Sequence, residues 1–365
     1  MEKKSSYSIP VLFDSQAFQR DLIEWYQQIK RELPWRENQD PYRVWVSEIM
    51  LQQTRVDTVI PYFNQFMARY PTVQDLSEAA EQDVLKSWEG LGYYSRARNL
   101  HTAVKEVVAN YDGKIPSEKK ELKKLKGVGP YTQGAILSIA FDQPEPAVDG
   151  NVMRVMSRVL HIDADIAKAK TKSLFEDVVS EVISTEDPSS FNQGLMELGA
   201  LICNPTNPKC EECPVQKHCM AYELGIQTEL PVKTKNKKQK KANYTAIVVK
   251  NEADEFFIQQ RASQGLLAGM WEFPLADLSE VSEDGMLRWF EKEYGIEIDA
   301  IRHGEKVKHI FSHLIWEVDV MFCMVKDQAD LNRMQKGKFV SREELADYPL
   351  PNVQLKILKQ IDAQV

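Results

Sequence analysis

The sequence predicts a mainly α-helical protein that changes, beyond about residue 243, into a smaller α+β domain. Three observations carry this expectation. Apolar residues recur at helical spacing through most of residues 16–200. The segment Pro231–Lys241 then holds six lysines and no core-forming run, as an exposed linker would. Beyond it, Tyr244–Lys250, Glu255–Arg261 and Leu314–Val325 are strand-like and rich in Val, Ile and Phe, with helices expected at about 283–294 and 353–362. The expected organisation is a helical domain over 1–202, a cysteine-bearing loop over 203–229, the Lys-rich linker over 230–243 and an α+β domain over 244–365.

A chain of 365 residues is too long for one ordinary core, and its 43% hydrophobic and 27% charged content is that of a globular protein. No apolar run approaches the ~20 residues of a membrane span, and the N-terminal MEKKSSYSIPVLFD lacks the apolar centre of a secretory signal. The chain is therefore expected inside the cell, in cytoplasm and nucleoid, as a monomer with no membrane partner. A net charge of −8 argues at first sight against a polyanion, but phosphate binding depends on a local basic face. Lys114, Lys119, Lys120, Lys123, Lys124 and Lys126 form such a run. They are either a solvated helix face or an approach for phosphates.

Along the chain, residues 16–33 read as an amphipathic helix with Phe18, Leu22, Trp25, Tyr26 and Ile29 as its stripe, ended by Leu33-Pro34-Trp35-Arg36. The next helix, about 41–55, is apolar nearly all round and hence buried, yet it carries Glu48. The residues three and four positions away are Val44, Trp45, Leu51 and Gln52, so no Lys or Arg of the same helix can pair with it. A carboxyl in such surroundings has a raised pKa and can be kept as a general acid; alternatively it meets a partner from another element. Further helices are expected at 62–70 and 79–88. Gly90-Leu91-Gly92-Tyr93-Tyr94-Ser95-Arg96-Ala97-Arg98 follows, a Gly-rich turn whose aromatic and basic residues suit either insertion into a base stack or internal packing.

The central stretch, Leu122 to Arg158, reads as a helix end, a Gly127-Val128-Gly129 hairpin, a second helix from Pro130, a Pro-rich turn and a third helix opening at Asp149-Gly150-Asn151. Backbone N–H groups of such a hairpin suit one phosphate of a nucleic-acid strand. On the third helix the apolar side is Val152, Val155, Met156, Val159 and Leu160, with Arg154 and Arg158 on the other. Asp149 at the helix start is expected to stay ionised. Helices then lead through Phe191–Gly199 into Cys203, Cys210, Cys213 and Cys219, four cysteines within seventeen residues. That spacing suits a tetrahedral zinc or a [4Fe–4S] cluster, and coordination chemistry alone does not choose. The fifth cysteine, Cys323, reads as a core residue of a strand.

The hairpin, the Pro-rich turn and the Asp together resemble the helix-hairpin-helix and following Asp of one DNA glycosylase superfamily. The cysteine loop resembles the cluster loop of iron–sulfur DNA glycosylases, which favours [4Fe–4S] over a structural zinc. Gly269-Met270-Trp271-Glu272-Phe273-Pro274 and the helix ending Glu291-Lys292-Glu293-Tyr294-Gly295-Ile296 look like a Nudix fold. Aligned on Gly295, Trp289 and Lys292 replace two of the three Glu that hold Mg²⁺ in a working box. A cation in that place disqualifies the metal site, so the fold is expected without the hydrolase, as a base-recognition module.

This combination resembles the MutY-type adenine DNA glycosylases along nearly the whole chain. The resemblance implies a base-excision-repair enzyme that hydrolyses the N-glycosidic bond of adenine opposite 8-oxoguanine or guanine in double-stranded DNA, after flipping the nucleotide out. Glu48 would protonate adenine N7. Asp149 would stabilise an oxocarbenium-like sugar, or bond to it transiently, with Tyr131 and Asn151 shaping the sugar pocket. Gln53, Leu91 and Tyr93 would enter the stack, beside Arg55 in the Gln52–Arg55 turn. Thr54, Ser312 and the loop Phe311-Ser312-His313 would meet 8-oxoguanine, and Gly127 and Gly129 a phosphate. Glycosylase/lyases of the endonuclease III type carry a Schiff-base Lys where this chain has Tyr131, so strand cleavage is not expected. The rivals are such a lyase and a non-catalytic lesion sensor in which Glu48 and Asp149 are structural; the broken Nudix box excludes a nucleotide pyrophosphatase.

Overall fold

The computed structural model describes residues 7–234, 239–327 and 334–363. The N-terminal residues 1–6 and the linker residues 235–238 lie outside them. The chain divides into two compact units, Met1–Glu78 with Asn99–Asn236, and Ala79–Arg98 with Lys237–Val365. Segment Ala79–Arg98 therefore packs with the C-terminal unit, although in sequence it lies among the helices expected of the first domain.

The described part of unit one is helical. In chain order the helices are α1 (Ser15–Ile29), α2 (Pro41–Leu51), α3 (Val56–Arg69) and α4 (Val73–Glu78); α5 (Glu81–Ser87) belongs to unit two, and α6 (Ser95–Tyr111) begins there. Next come α7 (Lys119–Leu122), α8 (Pro130–Phe141), α9 (Gly150–Val159), α10 (Ala169–Val182), α11 (Pro188–Leu201) and the short α12 (Met220–Glu223). Asp40 starts α2 by accepting from Tyr42 N at 2.9 Å, with Pro41 at the first helical position. As its all-round apolar sequence requires, α2 is buried from Tyr42 to Met50 apart from Arg43, and it packs on α8. A core of Phe18 and Leu22 from α1, Val155 from α9, Phe175 from α10 and Leu195 from α11 closes the other side.

Two glycines are demanded by the geometry. Gly127 has φ of +77° in the hairpin, and a Cβ there would fall 2.7 Å from Asn99 Cβ. Gly134 lets α8 lie directly on the Pro-rich turn: a Cβ would come 1.9 Å from Pro146 O. Gly129 has φ of −87° and open space around it, so of the hairpin's two glycines only Gly127 carries that requirement. The turn is also pinned by the fully buried Asn192, whose Nδ2 donates to Ser138 Oγ and Glu145 O, both at 2.8 Å. This contact fixes where Asp149, the residue after the turn, must lie.

Unit two contains one eight-stranded sheet among the described residues: β1 (Lys240–Lys250), β2 (Phe256–Gln260), β3 (Trp271–Glu272), β4 (Leu275–Asp277), β5 (Ile298–His303), β6 (Val307–Ile310), β7 (Leu314–Val325) and β8 (Lys338–Val340). Its path is β3-β2-β1-β7-β5, with β4 on β1, β6 on β7 and β8 on β2. Only β1 and β7 run parallel, in register from Lys240↔Leu314 to Lys250↔Met324. Helices α13 (Met286–Tyr294) and α14 (Asn352–Asp362) cover the sheet's two apolar faces. The three strands and both helices expected in this unit fall in β1, β2, β7, α13 and α14, while β5 and β6 were not expected, and Cys323 is buried in β7. Strands β3, β4 and β8, of two or three residues each, are too short to show a period. On α13, Lys292 lies in the last turn, and Glu293 is ion-paired with Lys336. Among the described residues no helix is long and apolar enough to cross a membrane.

Candidate active site

Glu48 is 5% exposed in the middle of α2, and no side chain of its own helix meets its carboxyl. Tyr131, second residue of α8, donates its hydroxyl to Glu48 Oε2 at 2.6 Å and also lies 3.8 Å from Met196 Sδ. Burial pushes the Glu48 carboxyl up to about 7; the Tyr131 hydrogen bond and the more distant Arg36 oppose this, while the charge of Asp149 reinforces it. Tyr131 is itself driven well above its ordinary range by burial and by the two acids.

Asp149 caps α9, its Oδ1 accepting from Val152 N at 2.7 Å and its Oδ2 from Asn151 Nδ2 at 3.0 Å. The expectation that the helix start lowers its pKa is corrected. Dehydration dominates and raises it, against the opposing pull of Val152 N–H, Asn151 and Arg154. Sequence position alone shows the cap but not the crowding around it. Asn151 in turn has its amide oriented by Arg154, whose Nη2 donates to Asn151 Oδ1 at 2.9 Å and to Gly199 O at 2.8 Å.

Glu48, Tyr131, Asp149 and Asn151 line one cavity of about 1030 Å³, wide enough for a nucleoside-sized group. Thr54 also lines it, following Gln53, which holds a left-handed φ of 59° at the end of α2. Arg55 is the residue before α3. One charged part of the lining was missed by sequence reasoning. Glu197 on α11, 1% exposed, is clamped by Arg31 Nη2 at 2.8 Å and by Arg36 Nη1 at 2.7 Å, while Arg36 Nε donates to Gln193 Oε1 at 2.9 Å. The only available signal was an acid in an otherwise buried helical stretch; its partners lie more than 160 positions away in sequence.

In unit two, Leu91 is buried and Tyr93 is 46% exposed, with φ of +48°. Arg96 and Arg98 turn inward rather than outward to phosphates. Arg96 Nη2 donates to Gly92 O at 3.1 Å and its guanidinium lies over Trp88 and Tyr93; Arg98 Nη1 donates to Ala268 O at 3.1 Å. Phe311 stacks edge-on against His309 and Trp316, and Ser312 and His313 are exposed. Tyr93 Oη and Ser312 Oγ are 3.1 Å apart.

The expected metal group is corrected. Among the described residues no group of three or more His, Cys, Asp or Glu side chains could hold a metal ion, against both a [4Fe–4S] cluster and a structural zinc. Cys203, Cys210, Cys213 and Cys219 are free and line an apolar cavity of about 30 Å³. Burial pushes the Cys213 thiol up to about 12 and Cys219 to about 11. Arg154 and Arg158, on the side of α9 away from its apolar stripe, are buried and hold this loop. Arg154 Nε reaches Cys203 O at 2.8 Å, and Arg158 reaches Cys203 Sγ at 3.2 Å, Asn204 O at 2.8 Å, Pro205 O at 3.0 Å and Leu230 O at 2.9 Å.

A helical unit with a hairpin, a buried acid and a capping Asp on one cavity belongs to a known class. Residues 46–181 match the HhH-GPD superfamily of base excision DNA repair proteins, and residues 245–360 match the NUDIX domain. The chain is 35% identical to the adenine DNA glycosylase of Mus musculus, covering 96% of this chain and 78% of the relative. It is 32% identical to that of Homo sapiens, covering 95% and 74%. The adenine DNA glycosylase of Buchnera aphidicola subsp. Schizaphis graminum is 32% identical over 94% of this chain and 98% of its own. Among solved structures, a thermostable thymine-DNA glycosylase superposes with a TM-score of 0.52 at 27% identity, covering 57% of this chain and 97% of that one. The chain thus belongs to the adenine DNA glycosylase family: it is a base-excision-repair, DNA-binding hydrolase acting on glycosidic bonds.

Proposed function

We propose that the protein removes adenine mispaired with 8-oxoguanine or guanine in double-stranded DNA, by hydrolysis and without cutting the strand. The observation that carries this is the protonatable Glu48 and the capped Asp149 on one cavity. Adenine leaves poorly as an anion, so the flipped base is protonated at N7 by Glu48 as the C1′–N9 bond breaks and its electrons pass to the ring. Asp149, as the carboxylate favoured by the Val152 N–H and Asn151 hydrogen bonds, faces the cationic sugar. Water adds to C1′, and its proton returns to Glu48. Tyr131 holds the Glu48 carboxyl in place and, having no amine, forms no Schiff base. Gln53, Leu91 and Tyr93 are assigned to the base stack, Thr54 and the Phe311-Ser312-His313 loop to 8-oxoguanine, and Arg55, Gly127 and Gly129 to the DNA backbone.

The test is a duplex with adenine opposite 8-oxoguanine, incubated with the protein and then treated with alkali. Breakage only after alkali is expected. Breakage before it would indicate a lyase, and none under either condition a lesion sensor.

A further inference from the structure

The turn Gly90–Tyr94 and the loop Phe311–His313 lie more than 200 positions apart in sequence, yet both belong to unit two, where their hydroxyls meet at Tyr93 and Ser312. Each is gripped from behind by a side-chain amide. Asn352, first residue of α14, donates Nδ2 to Gly90 O at 3.2 Å. Two residues before α14, Leu350 N donates to Glu89 Oε1 at 2.7 Å, so the entrance of the turn is tied both to α14 and to the segment leading into it. Gln239, just before β1, donates Nε2 to Phe311 O at 2.6 Å and approaches Ser312 O at 3.4 Å, while Lys240 N donates to His313 O at 3.2 Å. The turn is braced internally as well: Trp88 Nε1 and Arg96 Nη2 both donate to Gly92 O, at 3.3 and 3.1 Å. With Tyr93 held in a left-handed conformation, the turn has its shape set by unit two itself.

We propose that the turn and the loop form one preassembled lesion-reading edge, and that Gln239 and Asn352 are positioning residues that set the spacing between Tyr93 and Ser312. This rests on the assignment of Phe311, Ser312 and Tyr93 to the 8-oxoguanine side of the pair. Neither amide lines the cavity that holds Glu48 and Asp149. Loosening either grip lets the two hydroxyls drift apart, which weakens recognition of the oxidised base and leaves the chemistry of the excised one untouched.

The experiment uses the full chain and compares excision from adenine:8-oxoguanine and adenine:guanine duplexes, fitted for KM and for the rate at saturation. Gln239→Met and Asn352→Leu keep side-chain size and remove the donor. Each is expected to cut the preference for 8-oxoguanine about fivefold through KM, as the loss of one hydrogen bond would, with the saturated rate on adenine:guanine and the thermal midpoint unchanged. Ser312→Ala and Phe311→Ala are run in parallel. If they abolish the preference while Gln239→Met and Asn352→Leu retain it, the positioning role is overturned and the reading of the loop stands. If all four retain it, the reading of the loop fails. Equal loss on both duplexes, or a lowered midpoint, would show a structural role only and also overturn the proposal.

Discussion

Two buried glutamates line the same cavity, and their surroundings could hardly differ more. Glu197 is met by two guanidinium groups, from Arg31 and Arg36. Glu48 is met by one hydroxyl, from Tyr131. In unit two, buried Glu272 follows the first pattern, with Arg261 at 2.5 Å and Gln259 at 3.0 Å. An acid held by cations ties elements together. An acid left with a hydroxyl keeps its proton near neutrality and can give it away. The difference separates architecture from chemistry among residues of one type.

The largest effect that would sharpen this contrast is on the reaction. Glu48→Gln and Asp149→Asn are each expected to lower single-turnover excision of adenine about 10³-fold or more, the scale of a lost general acid or charge stabiliser, with lesion-duplex binding retained in a gel-shift assay. Full-speed release by either variant would remove the distinction drawn above. Glu197→Gln should instead act on the fold. It leaves two guanidinium groups short of their counter-charge, one of them largely buried, and breaking such a pair costs about 3–5 kcal/mol, read from urea denaturation.

The third effect depends on pH. Because Glu48 titrates near 7 when folded rather than near 4.5, the native state holds this proton more tightly than the unfolded chain. Its contribution to stability is full below about pH 4.5 and is lost as pH rises to about 7, up to about 3 kcal/mol. Glu48→Gln should therefore be more stable than the parent at pH 8, by up to that amount, and nearly equal to it at pH 4.5. An equal difference at both pH values would mean that Glu48 is no isolated acid. The smallest effect is that of Tyr131→Phe. Its hydroxyl favours the ionised Glu48, so its removal should move the alkaline limb of kcat/KM upward while lowering the rate by less than about tenfold.

Much of the site could be read from the chain because its signals are local. A Glu in an all-apolar helix, an Asp at a helix start and a Gly-Val-Gly hairpin each violate or satisfy a rule within a few residues. The Glu197 clamp, the Asn192 pin on the Pro-rich turn and the Gln239 grip on the Phe311–His313 loop involve partners dozens to more than a hundred positions away, and no periodicity signals them. The same limit hides the setting of Arg154 and Arg158, which lie off the apolar stripe of their helix yet are buried and bonded to the cysteine loop.

Residue spacing and local sterics were enough to say which long segments are helix and which are strand, where strand periodicity takes over from helical, and which two acids stand out. They could not reach the protonation of those acids, the partners of each buried charge or the allocation of Ala79–Arg98 to the C-terminal unit. Dehydration and long-range pairing set these outcomes, and both arise only once distant segments are brought into contact.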